Sequence, residues 1–261
     1  METWRGKWAL VTGASAGIGK ALAEQLAAGG TNLVLTARRR ERLEELAGKF
    51  TVKGVRVEIV VADLADPGAP EAIHAFTKKK DIDVELLINN AGFGAYGELH
   101  KLALPRLLEM VQVNCSAVVH LTRLYVPEMV ARRRGGILIL ASTAAFQAVP
   151  YISTYAATKA FDLLFAEGLA EEMKPHGVRV CALCPGSTES EFHDVAGQAH
   201  LAASKKRETA EKVARTGLRA LAAGKSYVIS GTGNYLGTHG QRLVPRRFVT
   251  RIAAGMFKPG K

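Results

Sequence analysis

Short runs of apolar residues recur along this 261-residue chain, and a helix-length segment separates each from the next. The runs are Trp8–Val11, Leu33–Leu35, Val55–Val61, Val84–Ile88, Ile137–Leu140, Val178–Leu183 and Tyr227–Ile229. Between them lie Ile18–Ala28, Arg40–Lys49, Pro70–Lys80, Leu104–Arg133, Tyr155–Lys174 and Glu208–Ala223. Strands that read as unbroken Val/Ile/Leu runs bury both faces, the habit of parallel sheets. Strict alternation with helices then predicts an α/β fold: a doubly wound parallel sheet of about seven strands in three layers, with right-handed crossovers. No Pro/Gly/Ser-rich linker divides the chain. Residues 1–240 therefore read as one domain, with an inserted loop at about 189–206, and residues 241–261 as a C-terminal extension.

Charge looks at first like a nucleic-acid signature, because the net value is +11. Residues 1–199 nevertheless hold 22 Lys+Arg against 22 Asp+Glu, while residues 200–261 hold 13 against 2. The excess is local to the end of the chain. Aromatic residues are few there and no reader motif accompanies the arginines, so no nucleic-acid partner is expected. Arg132-Arg133-Arg134 closes a helix before Gly135-Gly136, where cations complement the dipole. Three cysteines make no disulfide framework and suit a reducing compartment. The apolar run Trp8–Val11 is too short for a signal peptide. The uncharged stretch Gly135–Thr158 carries too many hydroxyls, with Gln147 and Pro150, to enter lipid. A cytoplasmic location is expected.

The first strand ends in Thr12-Gly13-Ala14-Ser15-Ala16-Gly17-Ile18-Gly19 and runs into a helix. Such a turn presents backbone N–H groups and a positive dipole end to a pyrophosphate, and glycine lets the backbone come close. The spacing Gly-x3-Gly-x-Gly differs from GxGxxG and from a Walker loop. The second strand ends in Ala37, followed by Arg38-Arg39-Arg40 where a NAD site would carry a carboxylate. A guanidinium there binds a 2′-phosphate, so NADP(H) is favoured, with Arg38 the leading candidate.

Tyr155 and Lys159 sit four apart at a helix start, on one face. A unit charge ~4 Å from the phenol contributes about 4 kcal/mol at an effective dielectric of ~20. That would bring a pKa of ~10 toward ~7. Ser142 follows the fifth strand, at the end that faces the ligand crevice of such Rossmann-type sheets. Together with Thr-Gly-Ala-Ser-Ala-Gly-Ile-Gly (12–19), Ala-Asp-Leu (62–64), Asn-Asn-Ala-Gly (89–92), Val-Asn (113–114) and Pro-Gly (185–186), these residues resemble the short-chain dehydrogenase/reductase family over about residues 6–230.

The resemblance implies NADPH-dependent reduction of a ketone. Tyr155 would be the proton donor, Ser142 would hold the substrate oxygen, Lys159 would lower the Tyr155 pKa and bind the nicotinamide ribose, and Asn114 would anchor a water. Cofactor contacts would come from Gly13, Ser15, Gly17, Ile18 and Gly19; from Asp63 to the adenine; from Asn90, Ala91 and Gly92; and from Pro185, Gly186 and Thr188. Two departures stand out: Ser190 replaces a common Thr, and Ser230-Gly231-Thr232-Gly233-Asn234 replaces an acidic-Gly-Gly segment. The alternative is a scaffold or redox sensor that binds NADP(H) without turnover.

Apolar residues near the tetrad (Phe93, Tyr96, Phe146, Val149, Tyr151, Phe192) point to an apolar carbonyl or alcohol substrate, such as an acyl, steroid-like or aromatic ketone. The faces of Leu104–Arg133 and Tyr155–Lys174 resemble the family's subunit interface, implying a homodimer or homotetramer. No metal is expected: Cys181 and Cys184, three apart in a strand, point to opposite faces, and the histidines lack ligand spacing. In Pro245–Phe257, Phe248, Val249, Ile252 and Met256 form an apolar stripe opposite Arg246, Arg247 and Arg251. That stripe can pack on the enzyme's own body or its dimer mate, as a wall of the pocket, or the helix can lie peripherally on an anionic membrane or dock an acidic partner or acidic thioester substrate.

Overall fold

The structure, a computed structural model, describes residues 4–52, 54–192, 196–197 and 207–258. Most of the loop expected at 189–206, with His193 and His200, and the last three residues of the tail lie outside that set. The strands are β1 (Trp8–Thr12), β2 (Asn32–Ala37), β3 (Val57–Val61), β4 (Val84–Asn89), β5 (Gly135–Leu140), β6 (Val178–Cys184) and β7 (Tyr227–Ile229). The helices are α1 (Gly17–Ala28), α2 (Arg40–Thr51), α3 (Ala69–Lys79), α4 (Leu104–Val111), α5 (Ala117–Ala131), α6 (Ser153–Met173), α7 (Ala210–Ala222), α8 (Thr232–Gly240) and α9 (Arg246–Phe257).

The strands form one seven-stranded sheet in the order β3-β2-β1-β4-β5-β6-β7, with every neighbouring pair parallel. This is the doubly wound sheet that the apolar runs predict. Side chains alternate between two cores, as the period of a strand requires. Leu10, Val34, Leu87 and Ile137 pack with residues of α3 to α6. Ala9, Val11, Leu33 and Leu35 pack with α1, α2 and α7. Cys181 belongs to the second core and Cys184 to the first, and both are free and buried.

The order reverses between β1 and β4, and there the two carboxyl ends are stitched together. The buried Thr12 hydroxyl accepts the N–H groups of Asn90 and Ala91, each at 2.9 Å, and donates to the Ile88 carbonyl at 3.1 Å. The Asn90 amide donates to the Thr12 carbonyl at 2.8 Å and to that of Gly13 at 3.3 Å. The loop after β4 is thus fixed against the glycine turn, and the crevice between them opens at a set width.

Local outcomes differ from the sequence reading in three places. Residues 55–56 turn out of α2 before the third strand begins, with the Val55 N–H on the Phe50 carbonyl. The segment Leu104–Arg133 is not one helix: a π-helical turn, Gln112–Ser116, separates α4 from α5. The widened turn carries Asn114 inward, where its side chain ties to the loop after β4. On α9 the packed residues are Ala253 and Phe257, with Ala253 buried against Val149, Ile152 and Ala156, while Val249 is half-buried. Phe248, Ile252 and Met256 of the expected stripe stay exposed.

Candidate active site

At the carboxyl ends of the strands lies a cavity of about 440 Å³. The sequence-predicted residues converge on it. Gly13, Ser15, Gly17, Ile18 and Gly19 come from the turn into α1, and Arg38 and Asp63 follow β2 and β3. Asn90, Ala91 and Gly92 follow β4, Ser142 follows β5, Tyr155 and Lys159 come from α6, and Pro185, Gly186 and Thr188 follow β6. Asn114 does not reach the wall. It is fully buried, its Oδ1 accepting the Phe93 N–H at 3.1 Å and its Nδ2 donating to the Phe93 carbonyl and Thr158 Oγ1, each at 3.0 Å. Of the apolar candidates, Phe93 and Phe192 reach the wall, whereas Phe146 packs on Tyr227 at 6.2 Å. Tyr96 and Val149 pack with the α9 residues, and Phe257 itself lines the cavity.

One end of the cavity is built for an anion. Helix α1 starts at Ala16 with no side-chain cap and no acidic residue in its first turn, so its N–H groups face the crevice unopposed. Gly13 has φ +64°, the left-handed region, and a Cβ on Gly19 would stand 2.3 Å from the Gly13 carbonyl oxygen. Only glycine fits either position. Arg38 is largely exposed, 3.7 Å from Asp63 Oδ2. Arg39, which the sequence reading ranked behind it, donates to Ser15 Oγ at 3.0 Å and to Glu191 at 2.7 Å. Arg42 also binds Glu191, and the two guanidinium groups hold that carboxyl below its usual range. A crevice with bare amides at its glycine turn and two arginines beside it fits a dinucleotide.

The other end is apolar around a small polar cluster. Ser142 Oγ accepts the Ala144 N–H at 3.1 Å and lies within hydrogen-bond reach of the Tyr155 phenol. The Tyr155 ring packs on Phe192 at 5.1 Å between centroids. Lys159 is 4% exposed, and its Nζ donates to the Leu140 carbonyl at 2.6 Å and to Asp162 Oδ2 at 2.9 Å. It lies 6.0 Å from the Tyr155 ring centre. Burial pushes the phenol up and outweighs the opposing pull of Lys159 and the Ser142 bond, with Asp162 adding to the rise. The phenol therefore titrates above its ordinary value, contrary to the expected fall toward neutrality. Burial works against the Lys159 charge, yet Asp162 and Tyr155 more than compensate and its pKa is raised. Asp162 went unnoticed in the sequence, although an acid three residues after Lys159 shares its helix face.

Comparison with known proteins sharpens this picture. A very-long-chain 3-oxoacyl-CoA reductase of Pyrenophora tritici-repentis is 37% identical over 186 residues, covering 67% of this chain and 53% of that protein. The chain thus spans about half the length of that relative. A short-chain dehydrogenase of Sphingobium yanoikuyae, solved with NADPH, superposes with a TM-score of 0.81 at 29% identity, covering 91% of this chain and 94% of that one. A short-chain dehydrogenase/reductase of Burkholderia phymatum, solved with NAD, gives 0.85 at 25% identity, covering 94% and 97%. The relatives correct the expected cytoplasmic location. They are named for very-long-chain acyl substrates, whose apolar chain favours lipid over water by about 0.8 kcal/mol per methylene. Among the described residues no helix is long and apolar enough to cross a membrane. The family model for short chain dehydrogenases matches residues 7–200, and the chain belongs to that family of oxidoreductases.

Proposed function

We propose that the chain reduces the keto group of an apolar, acyl-type substrate to an alcohol, using NADPH. The observation that carries this reading is the pairing, at one end of the cavity, of Ser142 and Tyr155 with an apolar surround of Phe93, Ile152, Phe192 and Phe257. The names of the relatives support a 3-oxoacyl thioester as the substrate class. The N–H groups of Gly13 to Gly19 would hold the pyrophosphate, Asp63 the adenine, and Asn90, Ala91 and Gly92 the adenosine side. Pro185, Gly186 and Thr188 would face the nicotinamide amide. When bound, the nicotinamide supplies the hydride.

Ser142 Oγ already accepts the Ala144 N–H, which leaves its own proton for the substrate oxygen. Tyr155 gives its proton to that same oxygen as negative charge develops there. Lys159 binds the ribose and restores the phenol proton, and Asn114 braces the floor beneath it. Arg38 and Arg39, at the rim, would read the 2′-phosphate. The exposed residues Leu104, Leu108 and Val111 of α4 and Phe161 and Leu164 of α6 fit a second copy of this chain.

The outward face of α9 would rest on an anionic lipid surface. Phe248, Ile252 and Met256 are exposed there, and Arg247 and Arg251 flank them. Neither arginine is in an ion pair among the described residues, and each cation near the headgroups contributes about 1 kcal/mol. The packed face of the same helix walls the cavity through Phe257, so lipid contact would bring the mouth of the site beside that surface.

NADPH oxidation followed with 3-oxoacyl-CoA esters of rising chain length should give turnover that strengthens with length, and Tyr155→Phe should lower it at least ~10²-fold. Cofactor binding with no turnover on any apolar ketone would sink the reading. Arg38→Ala and Arg39→Ala should each weaken NADPH by about tenfold or more while leaving NADH nearly unchanged, since one charge-assisted contact is worth ~1.5–3 kcal/mol. Equal losses for both cofactors would make the arginines structural. Sedimentation velocity should return a dimer or tetramer that Leu164→Arg dissociates. Finally, the protein should co-sediment with anionic vesicles at low salt, and the pair Phe248→Ser and Ile252→Ser should abolish this; failure of the parent protein to bind would exclude lipid contact.

A further inference from the structure

Beneath the reacting end of the cavity lies a charge with no part in the scheme above. Asp162 is 0% exposed. One of its oxygens binds Lys159, and the other, Oδ1, is buried with no hydrogen-bond partner. An ionised carboxylate in that position carries a desolvation cost that its single bond offsets only in part. Burial raises its pKa to about 6, against the opposing effect of Lys159. A buried acid kept at such a cost, on the lysine that faces the phenol, invites a functional explanation.

We propose that Asp162 is a positioning residue: it anchors Lys159 and cancels part of the ammonium's field at Tyr155, so that the phenol holds its proton and the site stays loaded for proton donation. This inference rests on the reductase reading given above. The geometry carries it. Lys159 Nζ is pinned from two sides, by the Leu140 carbonyl at the end of β5 and by Asp162 one helical turn further along α6. A lone ammonium acts on the phenol as a full positive charge. Paired with a carboxylate at 2.9 Å, it acts as a dipole, whose field falls off faster with distance.

Among the described residues the neighbouring elements supply no substitute for that carboxylate. From the π-helical turn, Cys115 faces the pair with its thiol pushed up to about 11 by burial, so it is neutral at physiological pH. From β6, Cys184 is pushed higher still by burial. Among the charged groups on the cavity wall, Arg38 lies against Asp63 and Arg39 against Glu191, both toward the anion end, and Glu109 is paired with Arg106. Asp162 is therefore the carboxylate that Lys159 meets.

The test replaces the charge while keeping the shape. In Asp162→Asn the ammonium is no longer countered, so the ionisation of Tyr155 should move down by roughly one to three pH units. Two readouts follow it. The ultraviolet absorbance of tyrosinate, taken as the difference between each protein and its Tyr155→Phe counterpart, reports the phenol directly and needs no cofactor. The alkaline limb of kcat for NADPH-dependent ketone reduction should move down by the same amount. Asp162→Val provides the same comparison if the amide variant folds poorly. A fall in melting temperature with both profiles unmoved would make Asp162 merely structural and overturn the proposal. A moved tyrosinate step in a protein that reduces no carbonyl compound would uphold the role of Asp162 and defeat the reductase reading instead.

Discussion

The site depends on the hydroxyl of Thr12. It accepts two backbone N–H groups from the loop after β4 and donates to a third backbone group; the bonds to Asn90 and Ile88 are buried and that to Ala91 half-buried. β1 and β4 are the strands at which the sheet reverses direction, so the segments leaving them diverge and have no ladder of their own. Three bonds through one side chain, with the Asn90 amide returning to the glycine turn, hold that divergence at a fixed value. Without them the Ala91 N–H, half-buried at the cavity wall, would lose its protein partner, a bond with a net worth of about 0.5–1.5 kcal/mol. Asn90 lines the cavity, and its Nδ2 is at the same time bound to the frame.

Much of this was legible because it is written in local pattern. Strands buried on both faces must be apolar throughout, and a glycine turn that tolerates no Cβ must be glycine, so sheet and anion end could be read in advance. Residues that meet across the fold were harder. The π-helical turn at Gln112–Ser116 has no sequence mark, because one extra residue in a helix leaves its apolar period almost intact. On α9 the stripe with the largest side chains is not the one that packs: small Ala253 allows close approach to Ile152 and Ala156, while Phe248 and Ile252 stay outside. Arg39 gained its place through Glu191, 152 positions along the chain.

The phenol shows how a correct rule can give the wrong sign. The Coulomb argument from Lys159 assumed an isolated charge close to Tyr155. The ammonium is instead 6.0 Å from the ring centre and bound to a carboxylate. Desolvation, which the spacing of two residues cannot reveal, then becomes the larger effect. Pairwise spacing identifies partners; the sign of a titration shift requires every charge in the neighbourhood.

The floor and the outer wall of the cavity are made by stretches of chain far apart in sequence, which meet where Ala253 packs on Ile152 and Ala156. Tyr155, Lys159 and Ser142 are set by α6 and the end of β5, whereas Phe257 arrives on α9, fastened by Ala253 and by the Tyr96 hydroxyl donating to the Phe257 carbonyl at 2.8 Å. Changes at Phe257 can therefore reshape the outer wall directly, whereas a change at Ala253 presses on Ala156 and so on the turn of α6 that carries Tyr155. Selectivity and chemistry are joined through that one small side chain, and drift at Ala253 would have to be matched on α6.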